Sequence, residues 1–208
     1  MLCKVQRFPK CEFHVFLSHC AEDRDSLVFP LDAALRQQHV IPWLDQHHYE
    51  YGAPVFEALR SSMLKCRHTV FLITKAMLTQ PRGWGILELA WAEVLQENLR
   101  DYGLHPEPGE ILQVVSLPLF LAERTSDLLW RSPWAALHDR GPFYRAADGD
   151  PIAWALGHIC QFVRRRAAEG RRIAEWLEED SRANKRLGKR AGLLERITCQ
   201  HPAPMAHP

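Results

Sequence analysis

The stretch Thr69-Val70-Phe71-Leu72-Ile73-Thr74 leaves this chain the fewest choices of fold. It is too short for a helix and apolar on both faces, so it reads as a strand covered from both sides, as in a parallel sheet flanked by helices. Phe13-His14-Val15-Phe16-Leu17 repeats the pattern, as do Val40-Ile41-Pro42-Trp43-Leu44 and Ile111-Leu112-Gln113-Val114-Val115, the last continuing toward Leu117. Helical spacing fills the gaps. Leu27, Leu31, Ala34 and Leu35 form one apolar stripe, with Asp25 or Ser26 as cap and Pro30 near the first turn. Pro54 fits the first position of the next helix, whose buried face is Val55, Leu59, Ser62 or Met63, and Cys66. Leu87, Trp91, Val94 and Leu95 form a third stripe. The resulting βαβαβα order, with a fourth strand, is that of an α/β protein with a doubly wound parallel sheet. Pro42 places the second strand at an edge or gives it an irregular start. Trp130 and Trp134 mark a short helix or turn, and Asp150-Pro151 opens a closing helix with Ile152, Leu156, Ile159 and Val163 on its face.

With 208 residues and 47% hydrophobic content, the chain can bury one core and carry a terminal extension. The expected division is a lead over 1–11, the α/β domain over 12–166, a basic helical extension over 167–198 and a disordered tail over 199–208. Net charge is +1, which gives no general attraction to nucleic acid or an anionic membrane. The extension mixes Arg164-Arg165-Arg166, Arg171-Arg172, Lys185-Arg186 and Lys189-Arg190 with Glu178-Glu179-Asp180, which fits docking or subunit pairing better than nucleic-acid binding. Six scattered cysteines form no CxxC pair and read as reduced thiols of a cytoplasmic protein. Neither a signal peptide nor a membrane span is evident, and the Met1 start reads as that of a complete small protein.

Glu88 is the candidate functional carboxylate. It lies at the edge of the Leu87 stripe, with Trp84 one turn earlier on the same side and Glu93 and Glu97 on the opposite one. A carboxylate between an indole and apolar packing is partly desolvated, although most border glutamates simply reach water. The usual phosphate cradles are missing, since no GxGxxG follows the first strand and no GxxxxGK[ST] occurs. The third strand ends Ile73-Thr74-Lys75 without the aspartate of a phospho-receiver. His47-His48 and Cys199-Gln200-His201 lack a second ligand pair, so no metal site and no resident cofactor are expected.

Three motifs together resemble a Toll/interleukin-1 receptor (TIR) domain across about residues 12–165. They are Phe16-Leu17-Ser18-His19 with Glu22-Asp23, Trp43-Leu44-Asp45 with Gly52 seven residues on, and Trp84-Gly85-Ile86-Leu87-Glu88-Leu89, which is similar to a W-x3-E-L pattern. Departures are Pro42, Pro54 where a serine is common, and Cys20 where some animal relatives carry arginine. The resemblance implies the flavodoxin-like form of the sheet, with Glu88 as the catalytic residue of an NAD+ nucleosidase that breaks the nicotinamide–ribose bond. It implies ADP-ribose or a cyclic ADP-ribose-type signal as product, and NAD+ as substrate rather than cofactor. Ser18, His19, Trp84, Asp45 and Gly52 are then substrate-binding candidates, the last two by shaping a mobile loop. Self-association through TIR–TIR contacts would complete the site. A small standalone member of this kind resembles the Thoeris antiphage type, in which a nucleotide product reaches a separate effector. The alternatives are a non-enzymatic TIR adaptor and a nucleoside deoxyribosyltransferase relative.

Overall fold

The computed structural model describes residues 12–45, 54–80, 83–101 and 115–168, together with Arg172 and Arg182. Four parallel strands form one sheet in the order β2-β1-β3-β4, where β1 is Phe13–Ser18, β2 Pro42–Trp43, β3 Cys66–Ile73 and β4 Val115–Phe120. That order is the flavodoxin-like doubly wound arrangement. Register runs Phe16 to Trp43 on one side of β1, Phe16 to Thr69 on the other, and Ile73 to Phe120 between β3 and β4.

Alternation along the strands divides the core in two. Phe16, Phe71, Ile73 and Phe120 point to one face, and Val15, Leu17, Val70, Leu72 and Leu119 to the other. The first face is covered by α2 (Val55–Leu64), the short α3 (Lys75–Thr79), α4 (Trp84–Asp101), α5 (Asp127–Trp130) and the 3-10 turn Pro133–Leu137. The second is covered by α1 (Phe29–Gln37) and by α6 at 151–168 through Ala155, Ile159 and Cys160. Each fully buried Leu, Ile or Phe in these layers contributes about 2 kcal/mol. At least three layers therefore hold the carboxyl ends of the strands in fixed relation.

Several elements differ from the sequence expectation. The first helix does not begin at a side-chain cap. A 3-10 turn, Ala21–Asp23, is followed by a π turn, Arg24–Val28, before regular α geometry starts at Phe29. Pro30 has no N–H to return to the carbonyl four residues back, so the chain ahead of it winds more widely. Strand β2 is only two residues long at the sheet edge, where Pro42 costs no inner ladder bond. Pro54 is the N-cap of α2, one position before the expected one. Strand β4 begins at Val115 among the described residues and runs to Phe120, carrying Pro118 at the edge of the described sheet.

The expected buried stripe of α4 holds at Leu95 and, partly buried against the core, at Leu87 and Trp91, but its centre lies on other residues. Val94 is 43% exposed, whereas Leu89, Ala92 and Leu95 are buried. With Gly85, they form an i, i+4, i+7, i+10 stripe. Glu88 therefore projects within the buried side instead of at its border.

Two glycines permit close packing. A Cβ at Gly141 would lie 1.8 Å from the Pro118 carbonyl oxygen, so only glycine lets this loop run against β4. At Gly85 a Cβ would meet the Trp134 ring at 3.1 Å and Met77 Cε at 3.3 Å. That closeness seats the start of α4 on Trp134.

The chain divides into two compact units, Met1–His105 with Leu112–Arg166, and Pro106–Ile111 with Ala167–Pro208. The few described residues of the second unit are helical. The expected lead, most of the extension and the tail lie outside the described residues.

Candidate functional site

A cleft of about 580 Å³ opens at the carboxyl end of the sheet, entirely within the first unit. In an open α/β sheet this is where ligands bind, because the strand ends and the following loops leave a crevice. Its volume falls in the range that encloses a whole small ligand. Phe16, Trp43, Leu59, Met77, Ile86 and Trp134 give it apolar walls. Phe16 and Trp43 stack with ring centroids 4.6 Å apart, fixing one wall.

Glu88 lines this cleft. The residue as a whole is part-buried, but its Oε2 is enclosed and has no hydrogen-bond partner. The first cause of its altered acidity is desolvation, which pushes the carboxyl pKa up to about 7. The Ser18 hydroxyl pulls the value back in part, and the charge of Asp45 pushes it further up. Ser18 shares the Phe16 side of β1 by strand alternation, which points it toward α4. Its Oγ is fully buried and, like Glu88 Oε2, forms no hydrogen bond of its own. The hydroxyl is thus near enough to the carboxyl to favour its ionised form, although neither enclosed atom has a partner in full hydrogen-bond geometry.

His19, at the strand end, places Nδ1 2.9 Å from the Leu17 carbonyl oxygen, which can only accept, so Nδ1 carries the proton. Its Nε2 then accepts from Arg24 Nε at 3.4 Å. Arg24 Nη2 pairs with Asp45 Oδ2, and Asp45 Oδ1 lies 3.8 Å from His19 Nε2. These three residues form one cluster on the cleft. Behind it, Thr74 Oγ1 donates to Asp23 Oδ2 at 2.5 Å and accepts from Met77 N at 3.2 Å, tying the turn after β1 to the cap of α3. Trp84 lines the cleft and is 53% exposed, so its indole is accessible.

Of the expected site residues, Glu88, His19, Trp84 and Asp45 come together on the cleft, and Ser18 lies against Glu88. Gly52 and most of its loop are outside the described residues. Sequence reasoning missed Arg24, Gln80 and the wall role of Trp134. Only the charge run Glu22-Asp23-Arg24-Asp25 directly after the strand hinted at the first. Among the described residues no group of three or more His, Cys, Asp or Glu side chains is arranged to hold a metal ion. No described helix is long and apolar enough to cross a membrane.

Residues 15–107 match the family model described as TIR domain. That span covers β1 from Val15, all of β2 and β3, and every cleft residue except Trp134. No curated protein matches the chain. Among solved structures, the TIR domain of the Toll-related receptor TRR-2 from Hydra magnipapillata is 13% identical, covering 73% of this chain and 98% of that one, with a TM-score of 0.47. The RPS4 and RRS1 TIR domain heterodimer is 16% identical, with 73% and 96% covered and a TM-score of 0.46. The TIR domains of the activated Roq1 resistosome recognizing the effector XopQ are 16% identical, with 78% and 84% covered and a TM-score of 0.41. With TM-scores this low, the fold rests on the sheet order of the chain itself and on the matched segment.

Proposed function

We propose that this chain is a TIR-type NAD+ nucleosidase in which Glu88 stabilises the transition state for cleavage of the nicotinamide–ribose bond. The observation that carries the proposal is an enclosed carboxyl, unpartnered at Oε2, on a ligand-sized cleft at the carboxyl edge of a parallel sheet. Cleavage breaks the C1′–N bond, and nicotinamide leaves with the electron pair. Positive charge then builds on the ribose as an oxocarbenium ion. A carboxylate held in a water-poor site stabilises that charge more than it stabilises the ground state. A pKa near 7 is compatible with this role, because a cationic pyridinium beside Glu88 favours its ionised form. The Trp84 indole offers a face for a ligand ring.

Capture of the oxocarbenium ion by water, with loss of a proton, gives ADP-ribose. Capture by an atom of the same molecule gives a cyclic isomer, and capture by a free base gives exchange. Assembly through TIR–TIR contacts belongs to the same proposal, as does a Thoeris-type setting in which the product acts on a separate effector during phage infection. The motif resemblance supports both.

The test is to incubate concentrated protein with NAD+ and separate the products by chromatography with mass detection, using wild type and Glu88→Ala. Glu88-dependent nicotinamide release is expected, and the mass of the co-product names the acceptor. A specific rate that rises with protein concentration would support assembly. The second reading is a non-enzymatic adaptor, favoured by the exposed Phe56, Trp84 and Trp130, at 57%, 53% and 48%. Self-association without any NAD+-derived product, in vitro or in infected cells, would favour that reading.

A further inference from the structure

Arg24 is the sole Lys or Arg among the described residues lining the cleft. It is placed by an irregular stretch of backbone. The 3-10 turn ends at Asp23, with φ −91° and ψ 0°, and the π turn begins at Arg24. The Thr74 hydroxyl, just past the end of the neighbouring β3, holds Asp23. Single π turns are rare overall but frequent at functional sites. The guanidinium uses Nε toward His19 and Nη2 toward Asp45, while Nη1 has no partner among the described residues. Its side chain is 34% exposed, and that of Asp45 is 37% exposed.

We propose that Arg24 anchors the diphosphate of a dinucleotide in this cleft, with Asp45 acting as a stand-in counter-ion that the diphosphate displaces or shares. The proposal rests on the dinucleotide reading of the site and extends it to the anionic half of the ligand. The enclosed carboxyl of Glu88 suits the cationic ring, while the partly exposed guanidinium suits a doubly charged anion that keeps some of its water. Guanidinium geometry is suited to a diphosphate because its parallel N–H groups reach two oxygens at once. Asp45 opposes an incoming anion in two ways, by occupying Nη2 and by its own charge. Arg24 and Asp45 therefore have opposite effects on anion affinity, although breaking either one removes the same ion pair.

That opposition is the test. Binding of inorganic pyrophosphate, NAD+ and nicotinamide riboside is measured by calorimetry on the full chain in the Glu88→Gln background, which slows turnover of NAD+ by about 10²-fold or more. Arg24→Gln is expected to weaken pyrophosphate and NAD+ by about 10- to 100-fold and nicotinamide riboside by less than about twofold. Arg24→Lys should restore part of the loss. Asp45→Asn should tighten pyrophosphate several-fold, and urea midpoints of all variants establish that they are folded. A purely structural ion pair would make Arg24→Gln and Asp45→Asn act in the same direction, which would overturn the proposal. Equal weakening of all three ligands, unchanged affinity in Arg24→Gln, or no binding of pyrophosphate and NAD+ by the parent protein would also overturn it. If Arg24 proves necessary for NAD+ binding while no nicotinamide is released by the protein with Glu88 intact, the anchor stands and the cleavage reading falls.

Discussion

Replacing Glu88 by Gln should make the protein more stable at alkaline pH, and the size of the gain follows from the carboxyl's surroundings. Burial raises the pKa from 4.5 to about 7. Between those two values the folded chain binds more protons than the unfolded chain, so stability falls as pH rises through that window and is constant above it. The shift corresponds to about 3 kcal/mol of stability present below pH 4.5 and lost by pH 8. Gln is similar in shape and does not ionise, so Glu88→Gln removes this loss and leaves other titrations common to both proteins. Urea unfolding of both at pH 5, 6, 7 and 8 reads the difference directly. The variant should gain progressively on the wild type, reaching about 3 kcal/mol at pH 8. A difference that does not change with pH, or a wild type that is the more stable at pH 8, would refute an enclosed and desolvated Glu88. The direction is informative because functional carboxylates of this kind are retained at a cost in stability.

Gly141→Ala should lower stability by about 2 kcal/mol or more in urea denaturation, because the added Cβ meets the Pro118 carbonyl, a backbone group that cannot swing away. Thr74→Val should cost about 1–2 kcal/mol in the same assay, since it removes the cap of α3 and leaves Asp23 Oδ2 without its partner. Binding of NAD+ at pH 6 should release close to one proton, measured by calorimetry in buffers of different ionisation enthalpy, and none at pH 9. Proton uptake at pH 6 would contradict a cationic ring next to Glu88.

The strands were legible because a parallel sheet covered on both faces needs continuous apolar runs, and Thr69–Thr74 could be little else. Carboxyl-end geometry then placed Ser18 and His19 correctly at the strand terminus. The centre of the helix stripe was misread for a physical reason. Gly85 and Ala92 carry no apolar weight, yet they mark the buried side because Trp134 and the sheet approach them closely. The larger Val94 drew the stripe toward solvent. Helix α3 was invisible because five residues give no helical period. Arg24 was missed because a 3-10 turn followed by a π turn has no recognised side-chain pattern, and its direction depends on contacts with Asp45 and His19. Similarly, the need for glycine at 141 arises only from a contact distant in the chain.

Nicotinamide release by Glu88→Gln is the most direct measurement, because this variant keeps the shape of the site and should be at least as stable as the parent. At saturating NAD+ its rate should fall by about 10²-fold or more while NAD+ still binds. A rate equal to that of the wild type, with binding intact, would contradict a catalytic role for Glu88.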